Sequence, residues 1–373
     1  MATLRTEAAP LAPTTRALPT RDPWFDNAKM ALVTLVVVGH SWTLLPHRTG
    51  TDTAYDFLYA WHVPAFVLVT GYLSRRFAWT PAKLGALVRT VAVPYLVFEA
   101  ALAWFRYQVG GVALDDLFTD PHWPMWYLAA LFFWRLATPA FRALSAGSAL
   151  LVAVTLSLLS GLWDGTVFDH ARILGLLPFF VLGLVLADAD WQRLRRVPLP
   201  FGVAGLGAVA ALAWWSRDRV PTEWLYYRSP YGELEPDPVR AMAIRLGVLA
   251  VGLLGALSFF VLVPRVRGWF ATLGAATLVV YLFHGFFVLT AQYQGFGDWT
   301  AEHVVLGFAV TTVAAIGLAL ALAAPPVARV LSYAVDPVGK LGALTRRAGG
   351  GPSAPSAGRP SATPVLPGPG PRL

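Results

Sequence analysis

The sequence predicts an all-α fold, a polytopic integral membrane bundle of about ten transmembrane helices, and three observations carry that expectation. Of 373 residues, 56% are hydrophobic and only 13% charged, against about 25% charged in an ordinary soluble domain. Mean hydropathy is +0.56. Apolar stretches of roughly the 20 residues that cross a bilayer recur ten times. The formal charge of +8 comes from basic residues that flank those stretches instead of clustering with aromatic platforms, so they read as topology signals and exclude a nucleic-acid partner. The chain has no cysteine, which rules out disulfides, thiolate catalysis and cysteine metal sites and leaves the redox compartment open.

The elements follow in order. The first span, near 29–45, contains KMALVTLVVVGHS. Basic residues precede it as in a secretory signal, yet no small-residue cleavage site follows and Trp42 and Pro46 close it, so it stays as a helix. The second, 54–74, ends in TGYLSRR, where Gly71 permits close helix approach. The third, 87–107, opens with Arg89 ahead of Pro94 and Tyr95, and the fourth, 124–143, opens with PMWY. Four more lie near 147–163, 171–187, 199–215 and 240–263. Between the last two, the connection 216–239 mixes charges with aromatics, a surface suited to sugars and equally to plain solvation. The ninth span, 271–290, contains LVVYLFHGFF, and the tenth covers 303–324. No internal repeat is visible. The Pro-, Ala- and Thr-rich start, 1–21, and the Pro-, Gly- and Ser-rich end, 343–373, lack the apolar residues of a core and read as disordered tails around a membrane domain at 22–342.

With the N-terminus inside, 20 of the 29 Lys and Arg residues fall on the inner side, seven on the outer, and Arg135 and Arg245 lie within spans. The positive-inside rule then places both termini in the cytoplasm. The Arg-over-Lys bias and abundant Ala, Gly and Pro are what a GC-rich bacterial genome encodes.

Ionisable groups inside spans are costly and are functional candidates by default. His40, His62, Glu99, Arg135, Arg245 and His284 qualify. Each also has a structural reading, an interhelical hydrogen bond. Lys29 has one too: an anchor at the cytoplasmic end with Asp26 three residues earlier on the same face. At about 100° per residue, the eleven steps from Lys29 to His40 leave only about 20° over three turns. The two side chains share a face, about 16 Å apart along the axis. They serve two levels of one cleft, or nothing.

These residues carry a resemblance. FDNAKMALVTLVVVGH, WHVPAFVLVTGYLSRR, RTVAVPY, PMWYLAAL and LVVYLFHGFF stand in the order and spacing seen in the acyltransferase 3 family, and over roughly 22–290 the chain most resembles its fucose 4-O-acetylase-like branch. The resemblance implies a ten-helix inner-membrane enzyme that moves an acyl group, usually acetyl from acetyl-CoA as cosubstrate, onto a carbohydrate hydroxyl, with the lipid bilayer as its medium. The family's first-helix signature is an Arg, ten residues and a His. Here Lys29 takes the Arg position and His40 the His, which keeps the charge and loses the bidentate fork. Asp26 fits the branch resembled.

Acyl transfer to an alcohol needs a base near neutral pKa, and imidazole at about 6.5 suits it. His40, with Lys29 and Asp26 on its helix, is the expected catalytic set. No Ser nucleophile elbow and no Cys is present, which favours direct transfer. Tyr72, Arg75, Arg76 and Arg89 are the expected acetyl-CoA contacts, with membrane anchoring as the rival reading for the arginines. His62, Trp126, Tyr127 and His284 are expected to line the acceptor site. For Trp126 and Tyr127 an interfacial aromatic belt is the alternative. No metal or resident cofactor is expected. A proton-coupled transporter would use similar buried histidines and charges, although the sequence shows neither repeated halves nor a matched pair of broken helices. A membrane scaffold is a third reading.

Overall fold

A computed structural model describes residues 22–114, 117–163, 167–337 and 339. The tails expected at 1–21 and 343–373 lie outside the described residues. The described residues contain helices and no strand.

Helix α1 (Pro23–Ser41) starts earlier than hydropathy implies, because Asp22 caps it by accepting from the Trp24 N–H at 3.0 Å and Pro23 fills the first position. Lys29 therefore sits a turn and a half inside the helix instead of at its mouth. A short turn at Trp42–Leu44 leads to α2 (Thr49–Tyr59) and α3 (His62–Ser74), which together make one 26-residue apolar run. Next come α4 (Pro81–Leu87), a π-helical turn at Val88–Ala92 and α5 (Val93–Gly110). The π turn has a cause: Pro94 donates no N–H and its ring crowds the carbonyl four residues back, at Thr90.

Helices α6 (Trp126–Arg142) and α7 (Ala146–Leu159) precede α8 (His170–Gly175) and α9 (Leu177–Val185), a pair bent by 55° just ahead of Pro178. The polar α10 (Asp188–Arg196) is followed by α11 (Leu199–Ser216), two one-turn helices, α12 (Glu223–Tyr226) and α13 (Tyr231–Leu234), and the 25-residue α14 (Pro238–Leu262). The chain closes with α15 (Trp269–Leu273), α16 (Thr277–Tyr293), α17 (Phe296–Glu302), α18 (Val304–Ala323) and α19 (Pro325–Val335).

All ten apolar segments expected from the sequence are helical over most of their length. Among the described residues, five helical runs are long and apolar enough to cross a membrane, or six if the bent α8–α9 pair is one span. Three of the helices that build the site, α1, α6 and α16, fall outside that set for physical reasons. α1 carries Asp26, Asn27, Lys29 and His40, while α6 and α16 are 17 residues each.

Two packing features fix the frame around α1. Helices α3 and α9 touch backbone to backbone: a Cβ on Gly71 would lie 2.0 Å from the Phe180 carbonyl oxygen, and one on Gly183 2.1 Å from that of Leu68. At the Pro23 end of α1, Trp24, Phe25, Tyr72, Trp191 and Phe260 interlock edge to face and stacked, joining α1, α3, α10 and α14. Arg195 lies over the Trp24 ring at 4.2 Å and pairs with Asp22, tying the helix cap into this cluster.

Candidate functional site

Helices α1 and α16 pack together, and they bring His40 and His284 into contact. His40 Nδ1 lies 2.8 Å from His284 Nε2. The other nitrogen of His284, Nδ1, faces the carbonyl oxygens of Tyr281 at 2.7 Å and Val280 at 3.2 Å. A carbonyl accepts only, so His284 Nδ1 carries the proton, and in a neutral ring its Nε2 must then accept. His40 Nδ1 is therefore the donor of the shared hydrogen bond. The lone pair of His40 is left on Nε2, free to take a proton.

The segment ahead of α6 covers this pair. The Trp123 ring lies 4.4 Å, centroid to centroid, from His40. His122 donates through both its backbone N–H and Nδ1 to Glu99 Oε1, at 2.9 and 2.5 Å, and Tyr95 donates to the Phe118 carbonyl at 2.8 Å, so α5 holds the segment from below. Tyr281 donates to the Pro124 carbonyl from α16. Glu99 thus orders the residue next to Trp123, while its Oε2 is buried without a partner.

A cleft of about 290 Å³ runs between α1, α3, α6 and α16, lined by Lys29 and Arg135 among its charged residues and by Thr70, Tyr127 and Tyr281 deeper in. Tyr281 lies one helical turn from His284. Lys29 Nζ is 2.7 Å from Asp26 Oδ1. The π turn contributes Thr90 and Val91 to the wall. The shared face of α1 therefore lines the cleft at the Lys29 level and meets the histidine pair at its other end.

On the other side of the bundle a larger, polar cavity of about 860 Å³ is bounded by His47, Asp52, Tyr55 and Asp56 and by Arg217, Glu223 and Tyr226 of the 216–239 connection. Tyr55 stacks on Tyr59 at 4.1 Å and receives the Tyr226 hydroxyl hydrogen bond at 3.0 Å. Tyr59 in turn packs against Gly39, where a Cβ would sit 3.0 Å from its ring. Aromatic contacts thus link this cavity to the backbone beside His40.

The remaining expected residues separate into groups. Tyr127 lines the cleft and shares a 2.5 Å hydrogen bond with Thr70; Trp126 lies under the Arg172 guanidinium at 5.1 Å. Both rings are buried, 9% exposed. His62 donates from Nδ1 to the Leu58 carbonyl at 2.7 Å, and its Nε2 is buried without a partner. Arg75 and the Tyr72 hydroxyl both bond Asp188 Oδ1 at 2.5 Å, and Arg75 covers the Tyr72 ring at 4.0 Å. Those two donors hold the Asp188 carboxyl below the usual carboxylate range. Arg89 lies 3.7 Å from Asp336. None of Tyr72, Arg75, Arg76 and Arg89 lines the cleft.

Sequence reasoning missed Trp123, Tyr281 and the His122–Glu99 pair as neighbours of the centre. It also missed Arg172, whose Nε donates to the Tyr226 carbonyl at 2.9 Å and whose Nη1 pairs with Asp169 at 3.1 Å. PMWY and LVVYLFH contain Trp126 and Tyr281. Nothing in the local pattern marks Glu99 as the partner of His122. Among the described residues no three His, Asp or Glu side chains converge as metal ligands.

No curated protein and no solved structure matches the chain. A family model does: the acyltransferase domain of the acyltransferase 3 family aligns with residues 22–324, a range that holds the histidine pair, the cleft and the polar cavity. That match covers most of the chain: the protein is a membrane acyltransferase and belongs to the acyltransferase 3 family.

Proposed function

We propose that the protein is an O-acetyltransferase that takes acetyl from acetyl-CoA on the cytoplasmic, Lys29 side and delivers it to a hydroxyl of a carbohydrate or glycoconjugate on the opposite side. One observation carries the reading: the Tyr281 carbonyl, His284 and His40 form a hydrogen-bonded chain that leaves His40 Nε2 unprotonated. The acceptor hydroxyl gives its proton to that nitrogen as its oxygen attacks the thioester carbonyl. His284 Nε2 accepts from the resulting imidazolium, stabilising the charge. When the C–S bond breaks, the CoA thiolate takes the proton back from His40 Nε2, so an acetyl ester and free CoA thiol leave and the enzyme is restored.

The two cavities supply the routes. The cleft gives the acyl arm a path past Lys29 toward Tyr281, and the polar cavity, with Tyr55 and Tyr226 and carboxylates at Asp52 and Asp56, offers the aromatic rings and acceptors that bind sugars. Arg76 and Arg89, at the Lys29 end, add positive potential that draws in a polyanionic donor.

The test is CoA thiol release by purified, reconstituted protein supplied with acetyl-CoA and a panel of sugars. Acceptor-dependent thiol release with a matching acetyl ester is expected. Uptake of unmodified solute with no thiol release would make the chain a transporter. Orientation is checked in intact cells: a cysteine at Ser229 should react with an impermeant maleimide, and one at Val266, whose carbonyl accepts from Asn27 at the Lys29 end, should not.

A further inference from the structure

We infer that Arg135 holds the diphosphate of the acyl-CoA donor while the pantetheine arm fills the cleft, an inference that rests on the donor reading above. The cleft has two charged lining residues, Lys29 and Arg135, both cationic. Lys29 is already compensated by Asp26 at 2.7 Å. Arg135 has no carboxylate partner among the described residues, and its one hydrogen bond is a long one, from Nε to Ser74 Oγ at 3.4 Å. The Nη1 and Nη2 fork is left to the cleft. A guanidinium at this depth without a counter-ion is costly, and its planar fork matches two acceptor oxygens of an anionic phosphate group.

Size and depth agree with that occupant. At about 290 Å³ the cleft is at the lower end of ligand pockets, roughly 300–1,000 Å³. That size suits a slender chain. Tyr127, at the inner end, and Arg135 both belong to α6, eight residues and therefore about 12 Å apart along the axis. The pantetheine arm is long enough to cover that span, so a thioester delivered toward Tyr281 leaves the diphosphate at the Arg135 level. Arg75 is unsuited to the same task because Asp188 and the Tyr72 ring occupy its guanidinium.

The experiment compares three donors on the reconstituted full chain: acetyl-CoA, acetyl-4′-phosphopantetheine and acetyl-pantetheine, which lacks phosphate. Arg135→Gln should raise KM for acetyl-CoA by roughly 10- to 100-fold, the scale of a lost charge-assisted contact. Its kcat and its KM for acetyl-pantetheine should match wild type. Arg135→Lys, which keeps the charge and loses the fork, should fall between. An acetyl-CoA KM unchanged in both variants, or a rise equal for all three donors, overturns the assignment. Binding of desulfo-CoA, followed by tryptophan fluorescence, separates this inference from the one it rests on. Wild type that binds desulfo-CoA through Arg135 without turning over any sugar would contradict the acceptor reading alone, and wild type that fails to bind it would overturn the Arg135 assignment.

Discussion

Lys29 and His40 occupy one face of one helix, yet their surroundings differ in kind. Lys29 finds its counter-charge three residues away on α1 and looks into an open cleft. His40 is buried, and its partner lies 244 residues further along the chain. A local pair can be read from spacing, whereas which nitrogen of His40 holds the proton is set by another helix. The contrast teaches that the chemistry of α1 is imposed at its far end by α16, while its near end is self-contained.

Breaking the far end should have the larger effect. His40→Ala should lower turnover by about 10²-fold or more, the usual scale for losing a general base, with insertion and monodispersity in detergent retained. His284→Ala should lower kcat by about 10-fold or more, because His40 loses the acceptor that fixes its tautomer. His284→Gln, whose side-chain oxygen can accept from His40 Nδ1, should recover part of that loss. A merely structural His284 would give equal losses in both variants and an unshifted pH–rate profile.

Near-end changes should register in binding. Lys29→Ala should raise KM for acetyl-CoA several-fold, about 3- to 10-fold, with kcat little altered, and Lys29→Arg should stay close to wild type. The smallest effect is expected at Arg75, where Arg75→Lys should leave both KM values within about twofold, since its partner is Asp188 and not the cleft. That pair should instead mark acid stability. The folded Asp188 carboxyl is depressed, so its contribution is present above the ordinary carboxylate pKa of about 3.9 and is lost as pH falls through the lower folded value. Melting curves of wild type and Asp188→Asn in the same detergent should converge at the acid end.

The all-α class and the ten helical segments were legible because apolar length and basic flanks are summed over many residues. The start of α1 was not. Asp22–Pro23 is a capping signal, but the polar residues after it lower the hydropathy that marked the span. Lys29, Asp26 and His40 could be placed on one face from spacing alone. The His40–His284 contact, the closure of Arg75 by Asp188 and the Glu99 support of His122 join residues 244, 113 and 23 apart in the chain, and no local pattern encodes them. Gly71 was legible as a close-approach residue, though its partner, the Phe180 carbonyl, was not.

Histidine nitrogen NMR on nitrogen-15-labelled protein in nanodiscs reads directly whether His284 sets the tautomer of His40. The expected result at neutral pH is a His40 ring protonated at Nδ1 with a bare Nε2, and a His284 ring protonated at Nδ1. In His284→Ala the His40 signal should shift toward a mixture of tautomers. A wild-type His40 protonated at Nε2, or a tautomer unchanged by removing His284, would contradict the relay.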